Sequence, residues 1–366
     1  MRSLEKFKGC LVGGAVGDAL GYPIEFYKIE QIKNIYGKNE IRRFVLFIFE
    51  VFYYLTNGKA IISDDTQMTL YTANGILIGK TRAMMRGIAG SCESYVYYAY
   101  LDWLDTQINS KKGISCTWLS KIEALNVQRA PGNTCIKALN SGTMGTIDNP
   151  INESKGCGGV MRVAPLGLYF KDSYELGCKV SAITHGHILG YRSAGLLSEI
   201  ISEIIYEKNQ DLYKVVLKSL NKIKEDEASK LLTELVNKAI ELSKQNIQDE
   251  TAIKELGEGW VAEECVAISI YCALKYKDNF EKAIIASVNH SGDSDSTGAV
   301  TGNILGTYLG ISKIPNKFLE KLELREIIEE IAEDLYNDCP VAEYADNSSK
   351  EAKRWIEKYI YAGKKE

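Results

Sequence analysis

An all-α protein is the fold class this sequence predicts, and three observations predict it. Apolar residues recur at helical rather than alternating spacing along most of the 366-residue chain. Strand signals are few: Arg43–Leu55 is the one β-branched and aromatic run, and its length leaves strand, hairpin arm and buried helix open. No Gly/Ser-rich or Pro-rich linker divides the chain, which has 6 Pro against 31 Gly. One large domain spanning 1–366 is therefore expected.

The elements follow in order. Thr66–Ile78 carries Met68, Leu70, Ile76 and Leu77 at helical spacing, and Tyr95–Leu104 repeats the pattern with aromatics. Leu189–Tyr206 is the strongest helix, with Leu189, Ala194, Leu197, Ile201, Ile204 and Ile205 on one face. Leu212–Ile223, Ser229–Leu242, Val261–Leu274, Phe280–Val288, Gly298–Leu309 and Leu322–Tyr336 read likewise. The charged stretch Lys222–Lys230 reads as a solvated helix junction. Glycines concentrate in Gly9–Gly21, Gly132–Gly159 and Gly292–Gly310, which read as loop-rich. Gly costs about 1 kcal/mol relative to Ala inside a helix, so clusters imply either tight helix approach or backbone lining a ligand.

Composition excludes several functions. Lys+Arg 44 against Asp+Glu 48 gives a net charge of −4, without the basic footprint of a nucleic-acid binder. The apolar run Phe44–Leu55 is shorter than the roughly 20 residues a membrane span needs, so no membrane association is expected. No secretory signal precedes Gly9, and the chain reads as soluble and cytoplasmic. Nine cysteines without a C-x-x-C pair suit reduced, scattered core thiols. Only three histidines, His185, His187 and His290, leave no inventory for a His-rich zinc site.

Two segments carry the chemistry. Ser63-Asp64-Asp65-Thr66 precedes the Thr66–Ile78 helix, and Asp293-Ser294-Asp295-Ser296-Thr297 precedes the Gly298–Leu309 helix. N-capping explains one acid at such a place; two acids flanked by hydroxyls, twice in one chain, exceed it. Carboxylate and hydroxyl oxygens are hard ligands suited to Mg²⁺, Mn²⁺ or Ca²⁺ and not to zinc. If the two loops meet, four carboxylates crowd one pocket and require cations. Two divalent ions would cancel them and activate a water.

Five blocks in order, GDALGYPIEF, ISDDTQMTL, APGNTCIKAL, SKGCGGVMRVAPLGLY and NHSGDSDSTGAVTGNILG, with THGHILGY between the last two, resemble the ADP-ribosylglycohydrolase family. The resemblance implies a compact all-α fold around two Mg²⁺ ions, with Mn²⁺ as a substitute. It implies Ser63, Asp64, Asp65, Asp293, Asp295 and Ser296 as metal ligands. Glu25 in GYPIEF matches an acid beside the metals. Ser154, Gly156, Cys157, Gly158 and Gly159 resemble a loop that wraps the diphosphate and distal ribose. His185 matches a position near them. Arg129 and Arg162 are candidate phosphate partners, with structural ion pairs as their other reading. Cys157 lacks an adjacent base and reads as a loop thiol.

The implied reaction removes ADP-ribose from a mono-ADP-ribosylated protein, releasing free ADP-ribose by attack of metal-activated water at the distal ribose C1. The Ser-Asp-Asp and Asp-Ser-Asp-Ser forms are closer to the arginine-linked branch. Asp64, Asp65 or Glu25 serves as base, with Asp295 holding the second metal. The alternatives are another linkage (serine, nucleic-acid base, O-acetyl-ADP-ribose) or a non-catalytic binder of ADP-ribose or of a toxin. Substrate choice is expected in Glu25–Leu55 and Ser110–Pro131.

Overall fold

A computed structural model describes residues 2–37, 41, 58–207, 211–223 and 226–362. Nearly all its regular structure is helical: α1 (Leu4–Gly21), α2 (Ile29–Tyr36), α3 (Asp64–Arg86), α4 (Cys92–Ile108), α5 (Asn133–Asn140), α6 (Ala164–Tyr169), α7 (Tyr174–Ala182), α8 (Ile188–Tyr206), α9 (Leu212–Leu220), α10 (Lys230–Ser243), α11 (Asp249–Leu256), α12 (Ala262–Lys275), α13 (Phe280–Val288), α14 (Ser294–Leu309), α15 (Asn316–Leu319), α16 (Arg325–Asn337) and α17 (Lys350–Ile356). Among the described residues, extended pairing is limited to two isolated bridges, Ala60 with Leu322 and Gly156 with Val261. The run Phe44–Leu55 lies outside the described residues.

α1 and α14 form the axis of the molecule. The stretch Gly9–Gly21, read above as loop-rich, is entirely helical. A Cβ at Gly9 would lie 2.1 Å from Gly306 O, one at Gly13 2.5 Å from Gly302 O, and one at Gly17 2.0 Å from Gly298 O. The pairing runs antiparallel and brings the two backbones into contact, as small residues four apart allow. Tight helix approach, not ligand lining, explains these glycines; packing offsets their poor helix propensity.

α3 and α14 begin earlier than their apolar periodicity indicates. Ser63 caps α3 by accepting from Asp65 N at 3.1 Å, so Asp64 and Asp65 fall in the first helical turn. Asp293 caps α14 by accepting from Ser296 N at 3.2 Å, which places Asp295 likewise. α16 begins at Arg325 rather than Leu322, because Leu322 is engaged in the bridge to Ala60. α12 begins at Ala262 because Val261 pairs with Gly156. His187, left without a role above, caps α8 through Nδ1, which accepts from Leu189 N at 3.1 Å.

One connected set of buried apolar side chains extends from Phe7 to Tyr359. All nine cysteines are free. The junction Lys222–Lys230 is held down by Lys222 to Asp172 at 3.2 Å and Arg192 to Asp226 at 2.6 Å, with 224–225 outside the described residues. No helix among the described residues is long and apolar enough to cross a membrane.

Candidate metal centre and substrate cleft

The antiparallel contact of α1 with α14, and the packing of α3 beside it, bring the N-termini of α3 and α14 to one cleft. Glu25, Asp64, Asp65, Asp293, Asp295 and Ser296 line it together. The two acidic segments, 228 residues apart at Asp65 and Asp293, therefore meet. No Lys or Arg is among the described lining residues.

Capping accounts for part of this acid cluster. Ser63 and Asp293 each satisfy an otherwise orphaned helix N–H. Asp64 Oδ2 accepts from Gly132 N at 3.0 Å, and Asp295 Oδ1 from Ser296 N at 2.9 Å. Asp65 has no such duty: it is 3% exposed, and its Oδ2 has no hydrogen-bond partner. Glu25 Oε2 is likewise buried without a partner. Buried carboxylate oxygens without donors are costly, and a hard cation would satisfy them. The donor set that lines the cleft, carboxylates with the Ser296 hydroxyl, fits Mg²⁺ or Mn²⁺, while Ser63 is fully buried as the α3 cap and is not among the lining residues. Among the described residues no three His, Cys, Asp or Glu side chains are already drawn around one point as ion ligands. Hydroxyls and water would therefore have to complete any shell.

The electrostatics agree with a cation requirement. Burial, then Asp293, Asp64 and Asp18, pushes the Glu25 carboxyl up to about 9. Burial foremost raises Asp64 to about 8, against the opposing Gly132 N–H, with Asp18 and Asp293 adding to the rise. Asp65 and Asp295 are held well above the carboxylate range by burial and by each other's neighbourhood of acids. Without cations such a cluster keeps protons instead of charge.

Asp18 is the residue sequence reasoning missed. Fully buried on α1, it accepts from Ser63 N at 3.0 Å, from Thr66 N at 3.1 Å and from the Thr66 hydroxyl. It ties the α3 N-terminus to the helix that also packs on α14. The detectable signal was an acid inside an otherwise apolar, Gly-rich helix. Trp260 was missed as well: it lines the cleft, and Phe26 stacks on it at 5.6 Å and 17°. The pair is 71% and 37% exposed, next to Glu25.

The glycine turn lies against the acids, with Cys157 Sγ 3.6 Å from Ser296 Oγ. Gly156, Cys157, Gly158 and His185 line the cleft, with Gly132, Asn133 and Thr134 from the start of α5. Ser154 stands behind them, its Oγ 3.3 Å from Gly156 N. Gly159 is buried beneath, where a Cβ would lie 2.1 Å from Ser181 Oγ. Cys157 Sγ donates to Asp293 Oδ2 at 2.7 Å, and burial with that acid pushes its thiol up. It is a protonated neighbour of the acids, not an activated nucleophile.

The arginines do not reach the cleft. Arg129 pairs with Glu323 at 3.1 Å, the structural reading given above. Arg162 is completely buried and pairs with no carboxylate among the described residues. The loop Ser110–Pro131 is anchored from below: Asp102 accepts from Ser115, Cys116 and Thr117 N at 2.7–2.8 Å, and Gln67 Nε2 donates to Val127 O at 3.1 Å.

An all-α molecule with acids on two helix N-termini beside a glycine turn is what the structure shows, and comparison with known proteins assigns it to a class of glycosidic hydrolase. The profile of the ADP-ribosylglycohydrolase family matches residues 1–345, and the chain belongs to that family. It is 29% identical to an uncharacterized protein of Archaeoglobus fulgidus, over 91% of this chain and 96% of the relative. It is 24% identical to the ADP-ribosylarginine hydrolase Tri1 of Serratia proteamaculans, over 93% and 82%. A solved ADP-ribosylglycohydrolase-related protein complex shares the fold with a TM-score of 0.55 at 21% identity, covering 91% of this chain and 98% of that one.

Proposed function

We propose that the protein hydrolyses the N-glycosidic bond between ADP-ribose and a protein arginine, with two Mg²⁺ ions held by Asp64, Asp65, Asp293, Asp295 and Ser296. Manganese would substitute. One observation carries the reading: five carboxylates converge on a cleft beside a glycine turn, with no cationic side chain among the described lining residues. The ions would neutralise the acids and polarise a water and the ribose hydroxyls.

The chain's own groups supply the rest. Backbone N–H groups of the glycine turn and the start of α5 receive the diphosphate. This orients the distal ribose C1 toward the acids. Glu25 Oε2, buried and unpartnered, takes the proton of the attacking water; burial makes it a stronger base than an exposed carboxylate. The remaining carboxylates stabilise positive charge developing on the sugar. The exposed Phe26–Trp260 stack beside Glu25 offers a flat face to a planar guanidinium, which favours an arginine acceptor over serine. When the C1–N bond breaks the electron pair stays on nitrogen, the positive charge passes to the sugar, and the group departs as neutral guanidine. The guanidine is basic enough to take up the water's proton that Glu25 accepted, so no strong general acid is needed. The likeness to an ADP-ribosylarginine hydrolase points the same way.

The test is release of ADP-ribose from a mono-ADP-ribosyl-arginine protein, with Mg²⁺ and with EDTA, for wild type and Asp64→Ala/Asp295→Ala. Metal-dependent release that is absent from the double variant is expected. ADP-ribose binding without release would overturn the arginine reading, and activity on serine- or base-linked substrates would replace it.

A further inference from the structure

Among the described residues Arg162 is a buried cation without a carboxylate partner, and such a group is expensive to keep. Its guanidinium lies 4.5 Å from the centre of the Tyr100 ring. Nη1 contacts Cys135 Sγ at 3.3 Å and Met68 Sδ at 3.5 Å. Nη2 donates to Thr184 Oγ1 at 2.6 Å. That hydroxyl sits 2.8 Å from His185 Nδ1.

The donor inventory fixes the direction of this chain. Arginine only donates, so Thr184 Oγ1 accepts from it. The hydroxyl has one hydrogen, and among its described contacts His185 Nδ1 is the strong acceptor left to take it. The nearby Cys135 sulfur is a weak acceptor, already facing Arg162. Polarisation by the guanidinium strengthens the Thr184 O–H as a donor. Nδ1 is then bare, and the ring hydrogen is on Nε2. That edge is turned to the glycine turn: a Cβ at Gly156 would lie 3.4 Å from Nε2, and one at Gly158 3.1 Å from Cε1. His185 lines the cleft there.

We propose that Arg162 is a positioning residue, which through Thr184 locks His185 as its neutral Nε2–H tautomer and so provides the cleft with a permanent hydrogen-bond donor for an oxygen of ADP-ribose. A proton on Nδ1 would have to face the Thr184 hydrogen and the Arg162 charge. Burial and Arg162 independently hold the His185 imidazolium form down to about 3. His185 is therefore a fixed donor and not a proton shuttle. The tautomer stands on the local geometry alone; its use on substrate rests on the function proposed above.

Three histidines make the test tractable. Nitrogen-15 correlation spectra of the histidine-labelled full chain, with Mg²⁺, are expected to show His185 with a bare Nδ1 and a protonated Nε2 from weakly acidic to neutral pH. Thr184→Val should shift His185 toward the Nδ1–H tautomer and weaken ADP-ribose binding in proportion to the Nε2–H fraction lost, about two-fold for an equal mixture and about ten-fold for near-complete conversion. Thr184→Ser, which keeps the hydroxyl, should retain the single tautomer. An Nδ1–H tautomer in the wild type would overturn the proposal, and so would a single Nε2–H tautomer persisting in Thr184→Val. A tautomer change with unaltered ADP-ribose affinity would overturn the substrate role. Should the wild type fail on arginine-linked substrate yet show the expected spectra, the arginine reading falls and the positioning of His185 stands.

Discussion

Individual carboxyl groups have a signed consequence for stability. Glu25 and Asp64 hold their protons up to about 9 and about 8 in the folded chain, whereas unfolded acids titrate near 4. The folded state thus binds more protons across that interval. The stability these groups contribute is complete at the acidic end and is lost as pH rises through the folded values. In EDTA the melting temperature should fall between about pH 5 and about pH 9. Mg²⁺ should flatten the fall, and Asp64→Asn should reduce it; a pH-independent melting temperature in EDTA would contradict this. The acids of Ser63–Asp65 and Asp293–Ser296 were legible in the sequence because each segment pairs acids with hydroxyls beyond what capping needs. Asp18 was missed because its signal, one acid in a Gly-rich apolar stretch, shows only once that stretch is known to be a helix rather than a loop. The depth of Arg162 was not legible, since a buried and an anion-binding arginine are written identically in sequence.

Helices whose apolar faces meet the core were readable from periodicity: Phe280–Val288 agrees to the residue, and Leu189–Tyr206 within one at its start. Asn133–Asn140 and Tyr174–Ala182 escaped; the second is as long as Phe280–Val288, but its buried face includes Gly177, Cys178, Ser181 and Ala182, which give little apolar contrast. α1 escaped for a different reason. Its glycines suggest a loop by propensity, while their four-residue spacing (9, 13, 17, 21) matches that of 298, 302, 306 and 310, and only the two series together disclose a packed pair. A methyl group at Gly17 would sit 2.0 Å from Gly298 O, against backbone that cannot turn aside. Gly17→Ala should therefore cost about 2–3 kcal/mol, read as a shift of the denaturant midpoint. Ile88→Ala, at a residue 77% exposed, should leave it in place. Equal midpoints for both variants would show that the helices separate at little cost.

Across the whole molecule, distant segments brace the acids from behind. Glu323 accepts from Ile62 N at 3.2 Å and from Arg129 at 3.1 Å, and Arg129 O accepts from Asp64 N at 3.0 Å. Glu323→Ala would leave Arg129 mostly buried and unpaired, at roughly 3 kcal/mol. It should also weaken Mg²⁺ binding several-fold by calorimetric titration, although Glu323 is not itself a proposed ligand; unchanged affinity would confine its role to stability. The helix pair at the centre has a further consequence, for biosynthesis. Gly9 leaves the ribosome 297 residues before its partner Gly306. At 5–20 residues per second that is about 15–60 s, during which a glycine-lined apolar helix waits uncovered. Until translation passes Asp295, only half of the acid cluster exists. A nascent chain therefore lacks the complete acid cluster throughout that interval.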